Sequence, residues 1–253
     1  MILSVCSLFV GVLDIRPSDL LTGSVETWEI FLISRLPRLL AILCTGIGMS
    51  VAGLIMQQLC MNKFVSPTTG ATISSAQFGI LLALLFAPGS TLWGRAAFSF
   101  VCAVLGTWVF VWFIQRIQFK DVVMVKDFSQ NLGVPYDLVL FMGLTIAAMI
   151  TASVVVVVGS ISYIGLIVPN IVAMFKGDQI RGTLVDTALF GAVFVLVCDM
   201  IGRVVIYPYE LPIELIVGVI GSILFVGLLL YRLRHGRKAV RLDKATKKTG
   251  GAA

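Results

Sequence analysis

Few side chains in this 253-residue sequence are equipped for chemistry, and those few are charges set in apolar surroundings. Asp199 and Arg203 stand four residues apart, which on a helix puts both on one face. Two readings fit that spacing. One is a structural pair that neutralises both charges. The other places Arg203 at the outer end of a helix as a recognition charge, with Asp199 holding it in position. A second group, Ser34-Arg-Leu-Pro-Arg38, brings Arg35 and Arg38 close together. These arginines either snorkel to lipid phosphates or join Arg203 in presenting positive charge to an acidic partner outside the cell. The third group is Lys126-Asp-Phe-Ser-Gln-Asn-Leu-Gly-Val-Pro135. Asp127 suits an N-cap, Gly133 suits the position just past a helix, and Pro135 prevents continuation, so Asp127, Phe128, Ser129, Gln130, Asn131, Leu132 and Gly133 read as one or two helical turns. Phe128 and Leu132 then share a face. The segment is either an ordinary loop or a docking knob for a cytoplasmic protein.

Enzyme signatures are missing from the sequence. It holds no P-loop, no HExxH, no GxSxG, and no histidine near a serine or cysteine to act as its base. His235 lies in a basic tail and reads as a solvated residue. Cys6, Cys44, Cys60, Cys102 and Cys198 fall inside or at the edges of apolar runs, where a thiol behaves as a small hydrophobe, and their spacing suggests neither a disulfide framework nor a metal site. No catalytic residue, cofactor or metal site is therefore expected.

The elements that must position these charges follow from composition. Hydrophobic residues make up 58% of the chain and charged residues 13%, with a mean hydropathy of +1.03. Soluble domains carry about 25% charged residues, so disorder, collagen and nucleic-acid-binding domains are excluded. The net charge of +6 does not change this, because the basic residues lie mostly in short loops and one tail. The apolar residues gather into eight segments of membrane type, roughly 1–13, 37–60, 70–87, 96–114, 138–158, 161–175, 183–207 and 213–231. The expected fold is an all-α polytopic transmembrane helical bundle of about eight spans over residues 1–231, followed by a basic cytoplasmic tail over 232–253. The first and sixth segments are shorter than a full crossing. Residues 1–13 lack the basic start and small-residue cleavage site of a secretory signal and read as a short or truncated first span.

With the N-terminus inside, fourteen of the nineteen lysines and arginines fall on the cytoplasmic side, although without the tail the balance is only six to five. Gly46, Gly48, Ser50 and Gly53 in the second segment, and Gly218, Gly221 and Ser222 in the last, allow close approach of helix backbones, within a bundle or at a dimer face. Pro169 frees a carbonyl inside the sixth segment. That carbonyl has to be satisfied by packed protein, which places the segment inside the bundle rather than against lipid.

An ordered set of motifs runs through these elements: Arg35-Leu-Pro-Arg38, Gly53-Leu-Ile-Met-Gln-Gln58, Asn62-Lys-Phe-Val-Ser-Pro-Thr-Thr69, Gly159-Ser-Ile-Ser-Tyr-Ile-Gly-Leu-Ile-Val-Pro-Asn170, Lys176-Gly-Asp-Gln-Ile-Arg181, Cys198-Asp-Met-Ile-Gly-Arg203 and Glu210-Leu-Pro212. Together they resemble the FecCD family of ABC importer permeases, which handle iron-siderophore complexes, haem and cobalamin. The Asn62–Thr69 version is similar to the branch serving catecholate or related iron-siderophores. The resemblance implies a subunit without enzymatic activity in a bacterial cytoplasmic membrane. It implies a second permease subunit (identical or not), two cytoplasmic ATPase subunits, and an extracytoplasmic binding protein that delivers the chelate, with no nucleic acid involved. Arg35 and Arg203 match family arginines that pair with glutamates of the binding protein, Arg38 stands beside them, and Asp127 to Gly133 match the short helix that couples to the ATPase. The sequence departs from the family in passing directly from the fourth span, at Gln115–Asp121, to the coupling segment. The family's fifth and sixth helices have no counterpart, so about eight spans stand where the family has ten. Losing an even number keeps both flanks cytoplasmic. Glu214 also replaces a glycine common in the family. Two other readings are an ATPase-independent secondary transporter or channel, and a shortened permease acting as an inactive or regulatory partner of a full-length one.

Overall fold

A computed structural model of the chain describes residues 2–9, 28–29, 31–117, 136–176, 180–206 and 209–249. Within them the chain forms eight α-helices: α1 (Ile2–Phe9), α2 (Leu36–Leu59), α3 (Thr72–Phe86), α4 (Leu92–Ile117), α5 (Tyr136–Val157), α6 (Ile164–Lys176), α7 (Ile180–Val204) and α8 (Ile213–Thr249). Each of the eight predicted apolar segments carries one of them. Five stretches are long and apolar enough to cross a bilayer alone, namely Phe31–Leu59, Leu92–Phe113, Tyr136–Val157, Gly182–Val204 and Ile213–Tyr231. The helices α3 and α6 are apolar but shorter, and α1 has 8 residues. The third segment was expected to span 70–87, yet its helix has only 15 residues. Hydrogen bonds within Ser66–Gly70 turn the chain, and Ala71 at φ +57° sets the entry to the helix. Pro88 and Gly89 then follow its end. Helix α8 continues past the apolar run that ends at Tyr231 to Thr249, so the first part of the basic tail prolongs the helix.

Helix α2 is the centre of the bundle. A five-residue π-helical turn, Phe31–Arg35, leads into it, and Pro37 occupies its first turn, where a missing N–H costs nothing. Along its length Leu39, Ile42, Met49, Ala52, Leu54 and Met56 are buried. Its small residues are where the neighbouring backbones touch. A Cβ added to Gly46 would lie 2.4 Å from the carbonyl oxygen of Gly191 in α7, and one added to Gly191 would lie 2.4 Å from that of Gly46. A Cβ on Gly53 would sit 1.9 Å from the Gly165 oxygen of α6. Both crossings therefore require glycine, and α2 is held against α6 and α7 at backbone distance. Of the glycines in α8, Gly221 faces Tyr163, whereas Gly218 has no neighbour within 4 Å of an added Cβ.

Helices α3 and α4 form a hairpin by the same device. Gly79 abuts the Phe98 and Ser99 backbone, and the buried hydroxyls of Thr72 and Thr107 lie 2.7 Å apart. Helix α5 closes the layer between α2 and α4, with Trp108 and Phe141 in edge-to-face contact at 4.3 Å.

Pro169 behaves as its position in the sequence requires. Ile164 through Asn170 are all buried. The freed carbonyl is that of Gly165, since a residue at 169 would normally donate to it. Gln57 of α2 supplies the missing donor: its Nε2 lies 3.1 Å from Gly165 O and 3.3 Å from Leu166 O. Asn170 in turn donates to Lys63 O at 2.8 Å, tying the α2–α3 loop to α6.

Candidate functional site

The charges singled out in the sequence converge at one end of the bundle, where α2 begins, α7 ends and α8 begins. Arg35 and Arg38, three residues apart, share a face at the start of α2. Asp199 and Arg203 occupy the last turns of α7, where a cation complements the helix dipole. The Asp199 carboxylate receives two guanidinium groups: Arg203 from its own helix through Oδ2, and Arg38 Nη2 across the helix boundary at 3.0 Å through Oδ1. Arg38 also donates through Nη1 to Glu210 at 2.5 Å. Three guanidinium groups, those of Arg35, Arg38 and Arg203, thus gather with the carboxylates of Asp199 and Glu210 at this end.

Burial divides the cluster into two parts. The Asp199 and Arg203 side chains are 3% and 2% exposed, whereas Arg38 and Glu210 are 38% and 31% exposed. Arg35 is buried. Of the three arginines expected to face outward, only Arg38 is therefore substantially accessible. Arg203 is drawn inward by a second set of contacts. Its Nη1 donates to Ser7 O at 2.9 Å, and its Nη2 lies 3.4 Å from Ser7 Oγ. Ser7 belongs to the last turn of α1, whose carbonyls have no partner within the helix. Arg203 consequently caps α1 as well as pairing with Asp199.

The loop bearing Glu210 is anchored by its own backbone. Leu211 N–H donates to Gly202 O at 2.9 Å, and Tyr209 N–H donates to Ile206 O at 2.7 Å. Beside it Glu214, at the start of α8, accepts from Ser160 Oγ at 2.8 Å and links α8 to the α5–α6 turn. That turn is left-handed at Gly159, with φ +100°. Sequence reasoning passed over Ser7, Glu210 and Ser160 as functional partners. Contacts separated by 54 to 196 residues leave no local spacing to read.

Asp127 to Gly133 lie outside the described residues. At the opposite end of the bundle α5 begins where α2 ends, with Tyr136 Oη donating to Leu59 O at 3.4 Å. Lys176 at the end of α6 and Asp186 in α7 pair at 2.5 Å. A cavity of about 190 Å³ between α2, α6 and α7 is lined by Gln57, Gln58, Lys63, Pro169 and Thr183 among others. It is smaller than the roughly 300–1,000 Å³ of small-molecule sites, so it cannot house a siderophore. Among the described residues no three His, Cys, Asp or Glu side chains converge as metal ligands.

Comparison with known proteins agrees with this architecture. The chain is 35% identical to the petrobactin import system permease protein YclN of Bacillus subtilis (strain 168), covering 91% of this chain and 95% of that protein. It is 28% identical to the petrobactin import system permease protein FatD of Bacillus anthracis, over 93% of this chain and 90% of that one. It is 27% identical to the ferric-anguibactin transport system permease protein FatD of Vibrio anguillarum (strain ATCC 68554 / 775), over 88% and 94%. The alignment with YclN runs over 301 positions, more than the chain possesses, so part of that relative has no counterpart here. A solved structure of a metal-chelate type ABC transporter in an inward-facing conformation shares the fold with a TM-score of 0.72 at 20% identity, covering 91% of this chain and 96% of that one. The FecCD transport family matches residues 1–125 and 121–232 as two stretches, which meet at 121–125, past the end of α4. The chain belongs to the FecCD transport family, as an ABC transporter permease of many membrane-spanning helices.

Proposed function

We propose that this permease moves an iron-siderophore complex inward across a bacterial cytoplasmic membrane, receiving it from an extracytoplasmic binding protein and drawing energy from cytoplasmic ATPase subunits. The observation that carries the reading is the ionic cluster where α2 begins and α7 ends, with the Arg38 guanidinium half-exposed at its rim. An exposed guanidinium attracts and orients the carboxylate of an acidic partner. Arg203 stands behind Arg38 and fixes the carboxylate on which Arg38 rests, and Arg35 is buried at the start of the same helix. The permease performs no covalent step. Nucleotide-driven movement of the Asp127–Gly133 segment, together with a second permease subunit, exchanges outward for inward access. The relatives named for petrobactin and anguibactin favour a siderophore as the cargo.

The alternative of an ion-coupled transporter calls for an available ionisable group at depth. Asp199, the acid the sequence offers for that role, is already held by two guanidinium groups. One observation favours a second reading. The family match breaks at 121–125 and the alignment with YclN is longer than this chain, as a regulatory partner of a full-length permease would allow. Both readings are tested by iron uptake in a strain stripped of its own siderophore permeases, supplied with ferric petrobactin and ferric citrate in separate assays. Uptake that Arg38→Glu reduces at least about tenfold supports transport through a docked binding protein. Correct insertion and ATPase copurification without uptake of either chelate would transfer the function to the regulatory reading.

A further inference from the structure

The exposed arginine of the outer cluster is already occupied by a carboxylate of its own chain. We propose that Glu210 is a built-in stand-in for the acidic side chain of the docking partner: it holds Arg38 in the free permease and is exchanged for the partner's carboxylate on docking, thereby setting the affinity. The proposal rests on the docking role of Arg38 given above and adds to it a competitor and a direction of exchange.

Three features single out Glu210 as the replaceable partner. First, Arg38 makes two carboxylate contacts of different standing: Asp199 is buried and also held by Arg203, whereas Glu210 is 31% exposed and pairs with Arg38 at the rim. Exchanging Asp199 would strand Arg203 in the interior, while exchanging Glu210 returns a carboxylate to water. Second, Glu210 presents to Arg38 the carboxylate chemistry that an acidic docking residue would bring, so the two compete for the same Nη1 atom. Third, the Glu210 side chain can leave without unravelling its loop, because Leu211 and Tyr209 are held by backbone bonds to Gly202 and Ile206. Half-exposed ion pairs contribute about 0.2–1 kcal/mol, so the competition lowers affinity without abolishing it. A stand-in of that strength also discriminates among partners. A neutral or basic surface gains nothing by displacing Glu210, and only a carboxylate recovers the lost contact.

The test measures binding of the purified binding protein of the same uptake system to the full permease–ATPase complex in lipid nanodiscs, at fixed salt. Glu210→Gln is expected to tighten binding about two- to fivefold, the fold-change equivalent of 0.4–1 kcal/mol. Glu210→Asp, which keeps the charge but withdraws it by one methylene, is expected to tighten binding in the same direction. Arg38→Gln is expected to weaken binding at least about tenfold, and Glu210→Gln added to Arg38→Gln is expected to change nothing more. If Glu210→Gln tightens binding equally with and without Arg38, the effect belongs to the general field of the surface and the stand-in is overturned. Arg38→Gln weakening binding while both Glu210 variants leave it unchanged or weaker overturns the stand-in and leaves Arg38 as the docking residue. Arg38→Gln without effect overturns both.

Discussion

Asp199→Asn removes one charge from the outer cluster and leaves its shape almost unchanged. In the native cluster the Asp199 carboxylate faces Arg203 through one oxygen and Arg38 through the other, at 3% exposure. The amide keeps one acceptor oxygen but turns an –NH2 group toward a guanidinium, and removes one negative charge from the cluster. Arg203, at 2% exposure, then keeps a charge in the interior without the carboxylate that balanced it. Breaking a buried pair from one side costs about 3–5 kcal/mol, which for a chain of this size is a fall in Tm of about 10 °C. The appropriate assay is thermal unfolding of the detergent-solubilised permease, followed by helical circular dichroism. The double variant Asp199→Asn with Arg203→Gln should recover at least half of the loss, because the stranded charge goes with its partner. Glu210→Gln should cost less than about 1 kcal/mol in the same assay, since that pair is half in water. An Asp199→Asn protein within about 1 kcal/mol of wild type, or a double variant no better than the single one, would refute the view that buried charge balance holds this end together.

Gln57→Leu should destabilise the bundle by about 1–3 kcal/mol by stranding the Gly165 carbonyl, and adding Pro169→Ala, which restores a backbone N–H to that carbonyl, should recover much of it in the same unfolding assay. Gly53→Ala should cost about 1–3 kcal/mol or more, because its Cβ meets the Gly165 oxygen at 1.9 Å. Gly218→Ala, with nothing within 4 Å, should be neutral or stabilising by up to about 1 kcal/mol in the same melts. Burial pushes the Cys60 thiol up to about 11. At pH 8 its labelling by a maleimide, followed by peptide mass spectrometry, should be about a hundredfold slower than that of an ordinary thiol and rise about tenfold per pH unit up to pH 10. Because the folded value lies above the unfolded one, the Cys60 contribution to stability is intact below about pH 8.5 and is lost as pH rises towards 11.

Helix positions and pairs within one helix were legible from the sequence, because apolar runs and i, i+4 spacing are local signals. The eight apolar segments mark the eight helices, and the face shared by Asp199 and Arg203 follows from their spacing. Pro169 also announced its own burial, since a freed carbonyl cannot face lipid. The donor that satisfies it, Gln57, lies more than a hundred residues away and could not be named. Small residues in α2 foretold a close approach but not its partners, Gly165 and Gly191. The exposure of the arginines was the least legible feature. A guanidinium near a membrane surface is expected to seek water, but Arg203 meets both a carboxylate and an uncapped helix end inside the protein, and those outweigh hydration.

The same contrast between near and distant contacts decides what can move at the outer end. Arg38 is built into the start of α2, and α2 cannot slide along α7 without disturbing a crossing in which the Gly46 and Gly191 backbones leave no room for a methyl group. Nor can it turn freely about its axis, because about two turns further on Gly53 is seated on Gly165, and beyond it Gln57 is bonded to the α6 backbone. Moving the helix would disrupt packed backbone contacts, whereas moving the Glu210 side chain breaks one half-exposed ion pair of at most about 1 kcal/mol. On the docking role proposed for Arg38, exchange is therefore easiest at the Glu210 carboxylate, with Arg38 staying fixed. A docking partner that engages Arg38 gains hold of a helix whose far end carries Gln57 and, through Lys63 and Asn170, the α2–α3 loop. Helix α2 thus links the ionic cluster at one end of the bundle to Gln57 and the α2–α3 loop at the other within one element.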